Sequence, residues 1–212
     1  MQDRLIVVGK KVGMTQMFDA DNHIMPVTAI EVEPCVVSQI KTVDHDGYNA
    51  VQFAYFKRNH IAKPIEGHLA KANIQEKFGY FCEFTTDEAS NFTIGNALSL
   101  DLFQVGQLVD VVAQSKGKGF QGVVRRFGFG GGRATHGSMS HRRGGSYGHF
   151  RRMGHVIKNQ KMPGHMGATR ITVHNLSIVG LMPEKRILVV KGSIPGANGN
   201  WVIIRKAKSV TK

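Results

Sequence analysis

The sequence predicts a mainly β protein with minor α content, built as one β core that a long Gly/Arg-rich extended loop interrupts. Three observations carry this. Short runs rich in Val, Ile and Phe recur about every ten to fifteen residues with turn signals between them, a spacing that suits a barrel or meander better than a βαβ repeat. Runs of the same kind resume after residue 170. Between the two sets lies a stretch, residues 111–183, that contains no Asp or Glu at all.

Taken in order, strands are expected at Leu5–Val8, Ile24–Glu33, Val36–Thr42 and Ala50–Phe56. The turn signals Asp19-Ala-Asp-Asn22 and Asp44-His-Asp-Gly47 separate them, because Asn, Asp and Gly tolerate turn conformations and bond their own backbone. A short helix is expected at His68–Gln75 and further strands at Gly79–Thr85 and Gly106–Val112. After the acid-free stretch begins, Arg170–Val179 alternates apolar and polar positions, and Arg186–Lys191 and Trp201–Arg205 follow, joined by the turn Ile194-Pro-Gly-Ala-Asn-Gly199. Trp201 falls in a strand pattern and is expected in the core. The expected division is a globular core of residues 1–126 with 166–212, including a small α+β insertion near 57–100, and an extended loop of residues 127–165.

The charge is segregated. The chain of 212 residues carries 28 Lys+Arg against 15 Asp+Glu, a net of +13. Residues 1–110 are net −5, residues 111–183 net +12 and residues 184–212 net +6. A cationic surface kept for solubility does not predict that the whole excess lies beyond Asp110. A segment that neutralises phosphates does, since each neutralised phosphate releases counterions. Within 117–167 there are 14 glycines and 5 histidines with little hydrophobic periodicity, too little apolar surface to hold a fold alone. An excursion over 130–164 running out and back reaches on the order of 50 Å at about 3.3 Å per residue.

Two cysteines, Cys35 and Cys82, form no metal or redox spacing and sit in apolar surroundings, so buried thiols are expected. The N-terminal residues lack a signal-peptide layout and no apolar run approaches the ~20 residues that cross a bilayer. A soluble protein of the cytoplasm is expected, with no membrane partner.

Within the acid-free stretch, Ser115-Lys-Gly-Lys-Gly-Phe-Gln-Gly122 resembles a phosphate-cradling turn, but Lys118 is followed by Gly119 rather than the Ser/Thr that a P-loop needs. The better reading is backbone N–H groups and Lys116 and Lys118 facing nucleic-acid phosphates, with Arg125 and Arg126 continuing the track. His136, His141, His149, His155 and His165 have no helical i,i+4 spacing and no Cys or carboxylate to complete a metal shell. Contact with bases or phosphates is the preferred reading for such residues. Gly130-Gly-Gly-Arg133, Arg142-Arg-Gly-Gly-Ser146 and Arg151-Arg152 combine close backbone approach with bidentate phosphate binding and base stacking. Tyr147 and Phe150 are assigned to RNA contact, Phe127 and Phe129 to packing. Lys158, Lys161 and Arg170 complete the expected RNA-binding set. General acid–base or nucleophilic catalysis wants a carboxylate or a His oriented by one; this stretch has no carboxylate, and Ser138-Met-Ser140-His141 lacks an orienting acid. No catalytic site, metal site, cofactor motif or small-molecule substrate is expected.

The ordered landmarks Gly9-Lys-Lys-Val-Gly-Met-Thr15, Asp46-Gly-Tyr48, Gly67-His-Leu-Ala-Lys-Ala72, Phe103…Asp110…Ser115-Lys-Gly-Lys-Gly-Phe-Gln-Gly122…Arg126, Thr135-His-Gly137, Lys161-Met162…Gly164-His-Met-Gly167 and Val190-Lys-Gly…Pro195-Gly-Ala197 resemble the bacterial large-subunit ribosomal protein L-three family nearly end to end. The resemblance implies a β-barrel core similar to that of translation factors. It also implies a loop threading large-subunit (23S-type) rRNA toward the peptidyl-transferase centre, a role early in subunit assembly, neighbouring ribosomal proteins as partners and no enzyme activity. Many relatives carry a methylated glutamine at the loop tip. Here the matching stretch is Gly145-Ser-Tyr-Gly-His-Phe-Arg-Arg-Met-Gly154, which puts Arg151 at that position, so no such modification is expected. Two other readings compete: a general nucleic-acid binder outside the ribosome, and an RNA-modifying enzyme with a basic substrate loop, for which no pocket motif is visible.

Overall fold

The computed structural model describes residues 6–19, 21–86, 89–98, 100–148, 151 and 153–207. Along the chain run β1 (Ile6–Phe18), β2 (Ile24–Val32), β3 (Cys35–Lys41), α1 (Val43–Asp46), β4 (Ala50–Lys57), α2 (Lys63–Lys71), β5 (Phe78–Thr85), β6 (Ala97–Leu98) and β7 (Leu108–Gln114). They are followed by β8 (Gly119–Gln121), α3 (Val123–Phe127), β9 (Gly164–Met166), β10 (Arg170–Met182), β11 (Ile187–Lys191) and β12 (Trp201–Lys206). The chain divides into two compact units, Met1–Gln114 with Arg170–Lys212, and Ser115–Thr169.

The first unit holds a closed barrel with strand order β1-β12-β7-β10-β11-β2, its neighbouring strands antiparallel. Closure pairs each strand on both sides over the body of the barrel, where an open sheet would leave two free edges. Alternation along the strands sorts the side chains. Val7, Val109, Val111, Val202 and Ile204 belong to one buried cluster with Ile30, Ile178, Leu188 and Val190. Their neighbours Ile6, Val8, Trp201 and Ile203 point the other way, into a second cluster with Cys35, Val37, Val51, Phe53 and Phe84. That second cluster joins the barrel to a four-stranded sheet of order β5-β4-β3-β6. The sequence opens an α+β insertion near residue 57; in the structure this sheet starts at Cys35, in β3. A third group, Ala54, Leu69 and Phe78, seats α2 on the sheet.

Several bounds differ from the sequence reading. The helix expected at His68–Gln75 begins earlier, at Lys63, because Pro64 occupies the first turn, where its missing N–H costs nothing. Asn73, at φ 54°, lies in the left-handed region just beyond its end. β1 runs ten residues past Val8, through a Gly/Lys-rich segment that shows no strand-like alternation. Trp201 is half-buried rather than enclosed: its ring meets Phe56 edge-on at 4.8 Å and Tyr55 at 6.2 Å. Cys35 is fully buried and Cys82 half-buried, both as free thiols.

Asp110, the last acid before the acid-free stretch, is 3% exposed. It accepts hydrogen bonds from the Asn175 amide (3.1 Å) and from Arg205 Nε and Nη2 (3.2 and 3.1 Å), and His174 Nδ1 lies 3.0 Å away. Asn175 sits where the β10–β7 register shifts, with φ 57°, so one carboxylate pins the bulge and pairs the arginine. Burial raises its pKa, but the Asn175 amide, His174 and Arg205 outweigh that and hold the carboxyl below the ordinary aspartate value.

A candidate nucleic-acid interface

The second unit, Ser115–Thr169, is closed at its base by a short ladder. β8 pairs with β9 through Gly119↔Met166, Phe120↔His165 and Gln121↔Gly164. The Ser115 amide donates to the Thr169 carbonyl at 2.9 Å, and the Lys118 amide to the Met166 carbonyl at 2.9 Å. This close approach requires glycine at 167: its φ is +77°, and a Cβ there would collide with the Lys116 carbonyl oxygen. After β8 the chain forms α3, which ends at Gly128 in the left-handed conformation.

Few apolar side chains hold the unit together. Val123 is its buried anchor at 2% exposure. Polar links supply the rest. Arg126 Nη1 donates to the Met162 carbonyl at 2.7 Å while its guanidinium lies 4.9 Å from the Phe127 ring centroid. The Gly132 amide donates to the His141 carbonyl at 3.0 Å, and His141 Nδ1 lies 3.0 Å from the Arg133 carbonyl oxygen. A Cβ at Gly132 would strike the Ser140 carbonyl oxygen, so glycine here permits the two backbone segments to touch.

The cations face outward. Lys116, Lys118, Arg125, Arg133, Arg142, Arg143, Arg151, Lys158 and Lys161 are exposed, as are His136, His141, His155 and His165. Arg125 makes one weak side-chain bond, to Gln121 Oε1 at 3.4 Å. Arg126 is half-buried and spent on an internal strut. Lys161 stands 5.8 Å from the Phe127 ring centroid. Tyr147 is half-buried, and Arg170 belongs to the first unit, exposed and paired with Gln114 in the β7–β10 ladder. His149, Phe150 and Arg152 lie outside the described residues. Phe127 and Phe129 form a tilted pair with centroids 6.5 Å apart.

An open cleft of about 560 Å³ lies within this unit, lined by Phe129, the glycines 130–132, Ser140, Arg143, Gly144 and Gly145. Glycine walls expose backbone amides, Phe129 offers a ring face and Arg143 a charge. Such a set suits a nucleotide better than an apolar ligand. One aromatic was missed by the sequence reading: Phe120 is 76% exposed and shares a face with its cross-strand partner His165. Its signal was a lone aromatic among Lys116, Lys118 and three nearby glycines, 117, 119 and 122. Among the described residues no group of three or more His, Cys, Asp or Glu is placed to hold a metal ion. No helix among them is long and apolar enough to cross a membrane.

The unit Ser115–Thr169 is thus an exposed, acid-free, glycine-rich cationic surface, complementary in charge to a polyanion. Comparison with known proteins narrows the class. Residues 38–186 match the family model described as Ribosomal protein L3. Three relatives bear the name large ribosomal subunit protein uL3. That of Herpetosiphon aurantiacus is 45% identical over 209 residues, covering 97% of this chain and 98% of the relative. That of Syntrophus aciditrophicus is 44% identical over 204 residues (95% and 93%), and that of Thermotoga maritima 43% over 207 residues (98% and 99%). The chain belongs to the Ribosomal protein L3 family, a family of ribosomal structural proteins and not a class of enzymes.

Proposed function

We propose that this chain is a structural constituent of the large ribosomal subunit and that its acid-free unit enters the large-subunit rRNA. The observation that carries this is the exposure of nine Lys and Arg side chains between residues 115 and 169 with no carboxylate in that unit to neutralise them. RNA phosphates are the complementary surface, and the glycine-lined approach suits folded RNA, where backbone and side chain must both fit between strands.

On this reading Lys116, Lys118, Arg125 and His165 flank the base of the unit, with Phe120 offered for stacking. Arg143 lines the cleft, and Arg133, His136 and Arg142 are exposed in the same unit. Arg126 and His141 act by holding the loop's path. The family resemblance adds that the loop, residues 127–165, extends toward the peptidyl-transferase centre and that the protein joins the subunit early in assembly. The protein contributes no catalytic group there, and its place of work is the cytoplasmic ribosome.

The competing reading, a general nucleic-acid binder outside the ribosome, shares the charge but not the family. Binding to folded large-subunit rRNA and to duplex DNA of equal length, measured from 0.05 to about 0.5 M salt, separates the two, because the sequence-independent electrostatic contribution falls away with salt. The ribosomal reading expects rRNA binding to persist where DNA binding is lost. Equal loss on both would overturn it.

A further inference from the structure

The barrel consumes β1 only in part. Pairing with β12 ends at Lys10↔Trp201, and Lys11 is the last residue on that side bonded to the turn, through Asn200 (2.9 Å) and Gly199 (2.7 Å). β1 nevertheless continues to Phe18, paired on its other side with β2 through Phe18↔Ile24. Residues 12–18 are therefore a seven-residue open edge with no strand beside it among the described residues. Natural edges are blunted with charges or proline, yet Val12-Gly-Met-Thr-Gln-Met-Phe18 has neither.

The faces of this hairpin differ. Met17 and Met25 pack with Val27 and Val189 on the face that points away from the barrel interior. Met14, Phe18 and Ile24, on the opposite face by alternation, are 51%, 68% and 60% exposed. The charge is opposite to that of Ser115–Thr169. No Lys or Arg occurs between Lys11 and Lys41, and the turn carries Asp19 and Asp21, both exposed. The hairpin's own charge disfavours phosphate and favours cations, Lys191 of β11, opposite Val27, being the cation on the adjoining strand.

We propose that this hairpin docks a neighbouring protein, which lays an extended, Lys/Arg-containing segment along the Val12–Phe18 edge, rather than contacting RNA. The added strand takes up the open backbone groups of β1, its apolar side chains cover Met14 and Phe18, and its cations meet Asp19 and Asp21. The inference rests on the ribosomal reading and names which face of the chain meets protein.

The test replaces Phe18 with a photoreactive phenylalanine analogue in the full chain, isolates large subunits containing it, and identifies the adducts. The expected product is a peptide of another subunit protein bearing Lys or Arg beside the cross-linked residue. An adduct to RNA alone, or none, would overturn the inference while leaving the ribosomal reading intact; absence of the chain from the subunits would overturn both. A second arm uses Asp19→Lys with Asp21→Lys, at exposed turn positions. Docking of a basic protein predicts at least a tenfold loss of that adduct, whereas an RNA partner predicts an increase.

Discussion

Replacing Arg142 and Arg143 together by alanine isolates the electrostatic contribution of the acid-free unit. Both side chains are exposed, and neither is engaged with a partner among the described residues. The free protein should therefore barely notice their loss: exposed substitutions stay within about 0.5 kcal/mol, or roughly 1–2 °C for a chain of this length. Binding should respond strongly. Each phosphate contact contributes about 0.7 to 0.9 to the slope of log K against log salt. Two lost arginines thus lower the slope by about 1.4 to 1.8, equivalent to roughly 15- to 30-fold weaker binding at 0.15 M salt, or about 2 kcal/mol. Titration of folded rRNA at several salt concentrations reads both quantities, and thermal melting of the free chain provides the control. An unchanged slope, or a melting temperature lowered by more than about 5 °C, would refute the assignment of these arginines to RNA rather than to the fold.

Three further outcomes follow from the geometry. Asp110→Ala strands Arg205 and releases the Asn175 bulge, so calorimetry should show a loss of about 3 kcal/mol, the low end for a broken buried pair because Arg205 remains partly exposed, and hence roughly 6–12 °C. Because the folded-state pKa of Asp110 is depressed, its stabilisation is fully present above the unfolded value of about 3.9 and is lost as pH falls through the lower folded value. Asp110→Asn should flatten that acid limb in pH-dependent denaturation; an unchanged limb contradicts the pairing. Gly132→Ala should push the chain away from the Ser140 carbonyl and break the amide bond to His141, giving faster exchange of the amide at position 132 while β7 and β12 keep their protection. Cys35 is fully buried, and burial pushes its thiol up to about 11; it should resist thiol reagents at pH 8 until the chain unfolds, and rapid labelling of the native protein would contradict its burial.

Much of this architecture was legible because alternation is a direct print of burial. Val202, Ile203 and Ile204 announce a two-faced strand, and the structure assigns one face to the barrel interior and the other to the packed sheet. The continuation of β1 was not legible, since Gly9-Lys-Lys-Val-Gly13 has no apolar alternation and becomes strand because β2, and at Gly9 and Lys10 also β12, pair with it. The helix bounds were missed where Pro64 was not used as a start signal. In the candidate interface, charge segregation picked out a stretch much of which the structure sets apart as the unit Ser115–Thr169, but sequence does not separate a cation that faces outward from one that ties the loop. Arg126 and Arg125 are adjacent, yet the first bonds the Met162 carbonyl and the second stands exposed. That difference depends on where the returning chain passes, which sequence spacing does not encode. For Phe120 the surrounding lysines and glycines hinted at exposure, and the β8–β9 pairing shows which residue shares its face.

The most direct test of the central claim is a high-resolution map of large subunits purified through a high-salt wash from cells expressing this chain. The account predicts the protein retained, residues 115–169 enclosed by rRNA, and Arg133, Arg142 and Arg143 within hydrogen-bonding distance of phosphates or bases. Loss of the protein in the wash, or that unit facing solvent on an otherwise intact subunit, would contradict it.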